Sequence, residues 1–107
     1  MKRFKVLRFG YRDEDGDKFN TQSFPVRNHV PISVNHDRTK LVGYGNLRVG
    51  KTGIFVETNV PVSKFKGLYP SIGFSVKNRK DGITYGFIYS IGLCEKPNVD
   101  PKINPIK

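Results

Sequence analysis

Cysteine and long apolar runs are scarce or missing in this chain, and each absence excludes a class of protein. Cys94 is the only cysteine among the 107 residues, so no disulfide can form within the chain and a reducing compartment is expected. It ends the apolar run IGLC, a setting typical of a buried, unreactive thiol. No stretch approaches the ~20 apolar residues of a membrane-spanning helix, and MKRFKVLRFG has no signal-peptide core. We therefore expect a soluble, intracellular protein without a membrane partner.

Acidic residues are also scarce, since nine stand against nineteen Lys and Arg, which gives a formal net charge of +10. Such an excess favours an acidic partner, either nucleic acid or a negatively charged protein surface. The basic residues are spread along the chain, as they also are on ordinary solvated strand faces. The candidate partner-binding residues are Lys51, Arg79, Lys80, Lys96, Lys102 and Lys107.

Metal ligands are too few for a structural site. His29 and His36 are the only histidines, and no second cysteine accompanies them, so a zinc site is not expected. The acidic stretch RDEDGD resembles a calcium loop only superficially, because Phe24 stands where the closing Glu would be. We interpret this stretch as a polar turn and expect no metal and no small-molecule cofactor.

No window has a helical period, and eleven Gly with seven Pro would interrupt one. Turn signals recur every eight to twelve residues, with short β-branched and aromatic runs between them. The sequence therefore predicts an all-β fold, a small barrel or sandwich of about seven mostly antiparallel strands. We place a single β domain at residues 1–96. Residues 97–107, with three prolines, are predicted to be an extended tail without packing of its own that lies along a neighbour.

Two β-hairpins are the strongest local predictions. LRVGKTGIFV places Gly50 and Gly53 around a short turn, and VKNRKDGITY uses Asp81-Gly82 in the same way. Alternation in IFVETNV assigns Ile54, Val56 and Thr58 to one face of its strand and the residues between them to the other.

The stretch GNLRVGKT, residues 45–52, fits the phosphate-binding loop pattern G-x-x-x-x-G-K-[ST] at every fixed position. A working loop of this type precedes a helix whose N-terminal amides face the phosphates. Here the residues that follow, GIFVETNV, indicate a strand, and no apolar strand ending in Asp is available to hold magnesium. We therefore interpret Lys51 as an exposed residue at a hairpin tip.

Several short pieces occur in an order that resembles the tailed-phage prohead protease family. They are Asn35-His36-Asp37, Val42-Gly43, residues 53–57, Ser71-Ile72-Gly73-Phe74, Ser90-Ile91-Gly92-Leu93-Cys94 and Pro97-Asn98. The resemblance covers about residues 30 to 98. It implies a β-barrel related to serine proteases of capsid assembly, with His36 as general base and Ser71 as nucleophile.

The departures from that family concern catalysis. Ser90 stands where the family has the acidic residue that orients the histidine, and Glu95 and Asp37 are the remaining candidates for that role. The short segment PVSKFKG also replaces a helix that helps to shape the family's site. Because loss of the orienting carboxylate can lower the rate by orders of magnitude, we expect a non-catalytic copy of the fold.

Three functions follow as expectations. The first is a phage head structural protein, an auxiliary or decoration subunit that binds the major capsid protein or other head proteins. It would be found in the virion head, or in the host cytoplasm during assembly. The second is a minimal prohead serine protease that cleaves capsid or scaffold proteins. The third is a basic β-barrel that binds nucleic acid through exposed aromatic side chains. We interpret Phe55, Phe74, Phe87 and Tyr89 as core or cross-strand partners, which argues against the third.

Overall fold

The computed structural model describes all residues, 1–107, and is built on a single six-stranded β-sheet without an α-helix. The strands are β1 (Lys2–Arg8), β2 (Val30–Val34), β3 (Leu41–Val49), β4 (Gly53–Thr58), β5 (Tyr69–Lys80) and β6 (Ile83–Cys94). Two 3₁₀ turns cover Arg38–Lys40 and Val62–Phe65. The predicted all-β class is confirmed. The sheet has six strands, because the run KFNTQSF folds as turns.

The strand order in the sheet is β1-β4-β3-β2-β6-β5. All neighbouring pairs are antiparallel except β2 and β6, which run parallel. The sheet curls into a half-barrel whose two edge strands, β1 and β5, approach each other. Strand β6 therefore pairs with β2 on one side and with β5 on the other. The chain that leaves β2 begins beside β6 of the β5–β6 hairpin.

The inner face of the curled sheet holds the hydrophobic core. In β4 the predicted alternation is confirmed, because Ile54, Val56 and Thr58 are buried whereas Phe55 and Glu57 are only half-buried. The other fully enclosed aliphatic side chains come from β1, β2, β3 and β6, namely Val6, Val30, Ile32, Leu47, Ile88, Ile91 and Leu93. Phe19, Phe24 and Phe74 close one end of this core through mutually tilted or edge-to-face ring contacts.

Both predicted hairpins are confirmed. Between β3 and β4, the amide of Gly50 donates to the carbonyl of Gly53 at 2.9 Å. A side chain at Gly53 would collide with the carbonyl oxygen of Leu7 on β1, so this position requires glycine. Lys51 is exposed at the tip and strand β4 follows directly, so the helix that a phosphate-binding loop needs is missing.

The C-terminal residues 97–107 contain no strand or helix, yet they pack onto the domain. Ile103 and Ile106 are buried in it, and the guanidinium of Arg8 forms a bidentate ion pair with Asp100 at 2.9 and 3.1 Å. The buried side chain of Asn98 donates to the carbonyl of Pro70 on β5. This differs from the expected tail without packing of its own, because its isoleucines cover the gap between the sheet edges. None of the helical turns is long or apolar enough to cross a membrane.

Candidate functional site

Two identical triplets, Ser71-Ile72-Gly73 on β5 and Ser90-Ile91-Gly92 on β6, pair antiparallel in the sheet. Ser71 lies opposite Gly92, and Gly73 lies opposite Ser90. Since side chains alternate across a strand, both isoleucines point to one face and both serines to the other. Ile91 is fully buried in the core, so the serines lie on the outer face, separated by two glycines that leave the sheet surface flat.

His36 reaches this surface from the end of β2 through a tight turn. Strand β2 pairs with β6 up to Val34, and the amide of Asn35 then donates to the carbonyl of Leu93 at 3.0 Å. Asn35 and His36 both adopt left-handed backbone conformations, with φ of 53° and 58°. The amide of Asp37 donates to the carbonyl of Val34 at 2.9 Å and closes the turn. Asn and His adopt left-handed conformations more readily than most other residues with a side chain, so these two residues suit the tight turn.

The imidazole of His36 lies directly over the two glycines. A Cβ atom at Gly92 would be 2.5 Å from its Nε2, and a Cβ at Gly73 would be 3.3 Å from its Nδ1. The distance at Gly92 is too short for a side chain, so this glycine makes room for the ring; a Cβ at Gly73 would collide first with the hydroxyl of Ser90. The ring edge of Tyr89, the extra residue of a bulge in β6, flanks Gly73. Bulges of this kind often re-aim side chains beside active sites.

Ser90 fixes the orientation of this imidazole. Its hydroxyl oxygen lies 3.2 Å from Nδ1 of His36, within hydrogen-bond distance. When Nδ1 carries the proton and donates to Ser90, the lone pair of Nε2 remains free to accept a proton. Ser90 thus takes the place that an orienting carboxylate holds in a serine protease triad.

Ser71 is paired with Gly92, the glycine that lies beneath Nε2 of His36. It faces Gly92 across the strand pair, and Cβ positions in such pairs are about 4.5–5.5 Å apart on the same face. Nε2 is the ring atom of His36 closest to the Cβ position of Gly92. The only side-chain hydrogen bond of the imidazole is the one to Ser90, so Ser71 and His36 are not hydrogen-bonded to each other.

Burial lowers the pKa of His36 below its ordinary value, although one side of the ring faces solvent. The imidazole is therefore neutral at neutral pH, the form required of a general base. No carboxylate reaches it. The carboxylate of Asp37 accepts hydrogen bonds from the hydroxyl and amide of Thr39, at 2.6 and 2.9 Å, and these bonds lower the pKa of Asp37.

Glu95 lies beside Ser71 in a shallow groove and forms no hydrogen bond with His36. The groove measures ≈ 360 Å³ and is lined by Asn35, Ser71, Cys94, Glu95, Lys96, Pro97 and Val99. Burial raises the pKa of the Cys94 thiol, so this sulfur stays protonated and unreactive. Ser71 lines this open groove, whereas His36 does not line it.

The acidic turn at residues 13–17 stabilises the fold through hydrogen bonds and an ion pair. One carboxylate oxygen of Asp13 accepts hydrogen bonds from the amides of Asp15 and Asp17, and burial raises the pKa of Asp13. The buried carboxylate of Asp17 accepts a hydrogen bond from the hydroxyl of Thr84 at 2.7 Å and pairs with Arg79. No group of three or more His, Cys, Asp or Glu side chains is arranged to hold a metal ion.

The basic residues predicted to bind a partner lie on separate surfaces. Lys51 and Lys80 occupy the two hairpin tips, Arg79 is paired with Asp17, and Lys96 borders the groove beside Ser71. Only Lys102 and Lys107 are brought together, in a second groove beside β1. The structure therefore does not assemble these six residues into one patch.

The four aromatic residues singled out in the sequence divide into two groups. Phe74 is a core partner, and Phe55 packs beneath the guanidinium of Arg3 at 4.3 Å. Phe87 and Tyr89 are 44% and 48% exposed, so neither is a core residue; Phe87 is paired with Ser75 across the hairpin, and its ring lies 4.9 Å from the guanidinium of Arg27. Tyr89 belongs to the surroundings of His36.

His36 and Ser71 were named as candidates from the sequence, but Ser90 was not named as a hydrogen-bond partner of His36. Position 90 was interpreted only as the place of a lost carboxylate. The signal that could have found it is the repeated Ser-Ile-Gly triplet on two strands of one predicted hairpin. No protein-family model, curated protein or solved structure matches this chain. The resemblance to prohead proteases therefore rests on the order of residues alone.

Proposed function

We propose that this chain is a minimal serine endopeptidase of phage head assembly, with Ser71 as nucleophile, His36 as general base and Ser90 as the residue that orients the base. The observation that carries the proposal is the position of the imidazole. Its Nδ1 is held by Ser90, and its Nε2 lies over the glycine that faces Ser71.

The proposed chemistry follows from this placement. The neutral imidazole of His36 accepts the proton of the Ser71 hydroxyl as the serine oxygen attacks a peptide carbonyl. The protonated imidazole then donates that proton to the leaving amine, and water releases the acyl group by the reverse sequence. Ser90 holds the ring but carries no charge, so it stabilises the imidazolium less than a carboxylate would. Slow turnover is expected, because loss of the charged partner lowers kcat by about 10⁴-fold in the serine protease template.

The choice of substrate rests on the resemblance in residues 30–98, which supports capsid or scaffold proteins as targets and the host cytoplasm during assembly as the place of action. The groove lined by Ser71 supports a peptide substrate, because it is open and holds the proposed nucleophile in its lining.

A second candidate is a non-catalytic auxiliary or decoration subunit that stays in the virion head. Two observations favour it, namely the uncharged Ser90 at the acidic position and the missing hydrogen bond between Ser71 and His36. In this case His36 only stabilises the fold, and the excess of basic side chains contacts the capsid shell or another head protein.

Cleavage of an unstructured peptide mixture, followed by mass spectrometry, separates the two candidates. The wild-type protein is expected to generate new termini, Ser71→Ala to generate none, and Ser75→Ala to behave as wild type. Ser75 is the matched control, because it is an exposed serine on the same strand. No cleavage by the wild-type protein, together with its retention in mature heads, would instead establish the decoration subunit.

A further inference from the structure

A second groove runs along the free edge of β1 and is separate from the His36 site. It measures ≈ 440 Å³, and we call it the β1 groove; it is lined by Lys2, Arg3, Phe4, Lys5, Arg8, Val62, Lys102, Ile103, Asn104, Pro105, Ile106 and Lys107. Side chains from both faces of β1 line it, since consecutive residues alternate between faces. The groove therefore follows the strand edge itself.

The backbone along this edge is unpaired. Strand β1 pairs with β4 on one side, and the backbone groups of residues 2–5 make no hydrogen bond with any other segment. An edge of this kind offers alternating donors and acceptors to another extended chain.

The opposite wall of the groove is held in place by the C-terminal tail. The amide of Gly67 donates to the carbonyl of Ile106, and the amide of Ile106 donates to the carbonyl of Leu68, both at 2.8 Å. The buried side chains of Val62, Ile103 and Ile106 form an apolar floor. The space between β1 and the tail is thus a preformed slot with two walls and a floor.

All charged side chains that line the slot are basic. Six basic side chains line it, and of these only Arg8 is in an ion pair, with Asp100. Lys2, Arg3, Lys5, Lys102 and Lys107 form no ion pair, although Arg3 and Lys5 contact the ring of Phe55 and Lys5 donates to the hydroxyl of Thr52. Unpaired positive charge on both walls favours an acidic occupant.

We propose that the β1 groove binds an extended acidic segment of a partner protein, which adds to the sheet as a further strand along β1. The unpaired backbone favours a peptide over nucleic acid, because a nucleic acid cannot continue a β-ladder and no exposed aromatic ring lines the groove for base stacking. The proposal does not depend on hydrolysis at Ser71, and Ser71→Ala is expected to leave this binding unchanged.

The first test is fluorescence anisotropy with a labelled decapeptide of alternating Glu and Val at physiological ionic strength. Lys2→Glu/Lys102→Glu reverses one charge on each wall and is expected to weaken binding by about tenfold or more. Lys77→Glu/Lys80→Glu makes the same change of net charge on the exposed β5–β6 arm and is expected to change binding less than about twofold. All four lysines are exposed, so circular dichroism is expected to show an intact fold in both variants. No binding by the wild type, or equal loss in both variants, would overturn the proposal.

Two further probes identify the mode of binding. The same decapeptide with alternate backbone amides methylated keeps every charge but cannot complete a ladder, so it is expected to bind at least about tenfold more weakly. Hydrogen exchange of the amides of residues 2–5 is expected to slow when the unmodified peptide binds. Equal affinity for the methylated peptide, or tighter binding of an oligothymidylate of the same length, would contradict strand addition by an acidic peptide.

Discussion

The imidazole of His36 lies over Gly73 and Gly92, which leave the sheet surface beneath it bare. The hydroxyl of Ser90 lies 3.2 Å from Nδ1, and Ser71 is paired with Gly92, the glycine beneath Nε2. At this scale the order of motifs in the sequence indicated His36 and Ser71 as candidates, and their catalytic roles stay a prediction. The contacts that hold the imidazole could not be predicted, because the left-handed turn at His36 and the bulge in β6 depend on the pairing of strands that are far apart in the chain.

Gly92→Ala tests whether the glycine floor positions the histidine. The new methyl group would lie 2.5 Å from Nε2, so the ring must move into solvent and lose its contact with Ser90. Because burial lowers the pKa of His36 in the native protein, the pKa is expected to rise toward its ordinary value of about 6.5. An NMR titration measures this, with His29 in the same sample as the internal control. An unchanged titration of His36 would contradict the proposed role of the glycine.

Ser90→Asp tests whether position 90 orients the base. A carboxylate beside Nδ1 favours the imidazolium, so the pKa of His36 is expected to rise above its wild-type value. Peptide cleavage is expected to increase by about tenfold or more, because the charged partner is restored. Ser75→Asp introduces the same charge elsewhere on the outer surface and serves as the control. A fall in the pKa of His36, or unchanged cleavage, would argue against Ser90 as an orienting residue.

At the scale of elements, local sequence signals were strongest where a turn joins neighbouring strands. The Asp81-Gly82 and Gly50–Gly53 turns were predicted because glycine and aspartate favour the backbone angles that hairpins need. The parallel pairing of β2 with β6 carries no such signal, since these strands are about 60 residues apart in the chain. That pairing is what brings His36 to the serines, so the assembled site could not be predicted from local patterns.

A substitution in the β5–β6 turn tests whether the hairpin requires glycine at position 82. Asp81 and Gly82 have φ of 54° and 78°, as a type I′ turn requires. Gly82→Ala forces a left-handed conformation on alanine and is expected to lower the free energy of unfolding by about 1–2 kcal/mol. Urea denaturation measures the loss, and the neighbouring Lys80→Ala is expected to be nearly neutral. Equal stability of Gly82→Ala and wild type would mean that the turn tolerates other geometries.

At the scale of the whole molecule, the C-terminal tail holds the two edges of the half-barrel together. The Asn98 amide donates to the carbonyls of Pro70 on β5 and Val6 on β1, at 2.8 and 3.5 Å. Its side-chain oxygen accepts a hydrogen bond from the amide of Asp100. The prolines and charged residues of the tail predicted packing only on a neighbour. That prediction overlooked Ile103 and Ile106, which are buried in the domain. Six strands are present where about seven were predicted, because residues 18–24 (KFNTQSF) form no strand.

Asn98→Ala removes the link between the edges and leaves buried backbone carbonyls unpaired. The expected loss of unfolding free energy is about 1–3 kcal/mol, measured by urea denaturation. Asn104→Ala changes an exposed asparagine of the same tail and is expected to have little effect. If both variants unfold at the same urea concentration as wild type, the tail does not stabilise the sheet in the way described.

The Arg8–Asp100 ion pair predicts a pH dependence of stability. Burial opposes ionisation of Asp100, but the hydrogen bonds from Arg8 and the amide of Lys102, with the charge of Arg8, lower its pKa below the ordinary value. The folded state therefore binds fewer protons than the unfolded state between the folded pKa and about 3.9. The stabilisation is fully present above that range and is lost as pH falls through the folded pKa. Asp100→Asn is expected to be less stable than wild type by about 1 kcal/mol at neutral pH.

Thermal unfolding over a series of pH values tests this prediction. The difference in stability between wild type and Asp100→Asn is expected to shrink as the pH falls below about 4, because the wild-type carboxylate is then protonated. A difference that stays constant down to strongly acidic pH would contradict a role for the ionised carboxylate.

The central claim is that His36 activates the Ser71 hydroxyl, and covalent labelling with a fluorophosphonate tests it most directly. The serine oxygen displaces fluoride from phosphorus while His36 takes the hydroxyl proton. Because the pKa of His36 is lowered, labelling is expected to persist below pH ~6.5, the ordinary histidine pKa. Mass spectrometry is expected to find the label on Ser71 in the wild type, none in Ser71→Ala, and greatly slowed labelling in His36→Asn, which keeps a residue that tolerates the left-handed turn. An unlabelled wild-type protein, or a label on another serine that does not depend on His36, would contradict the account.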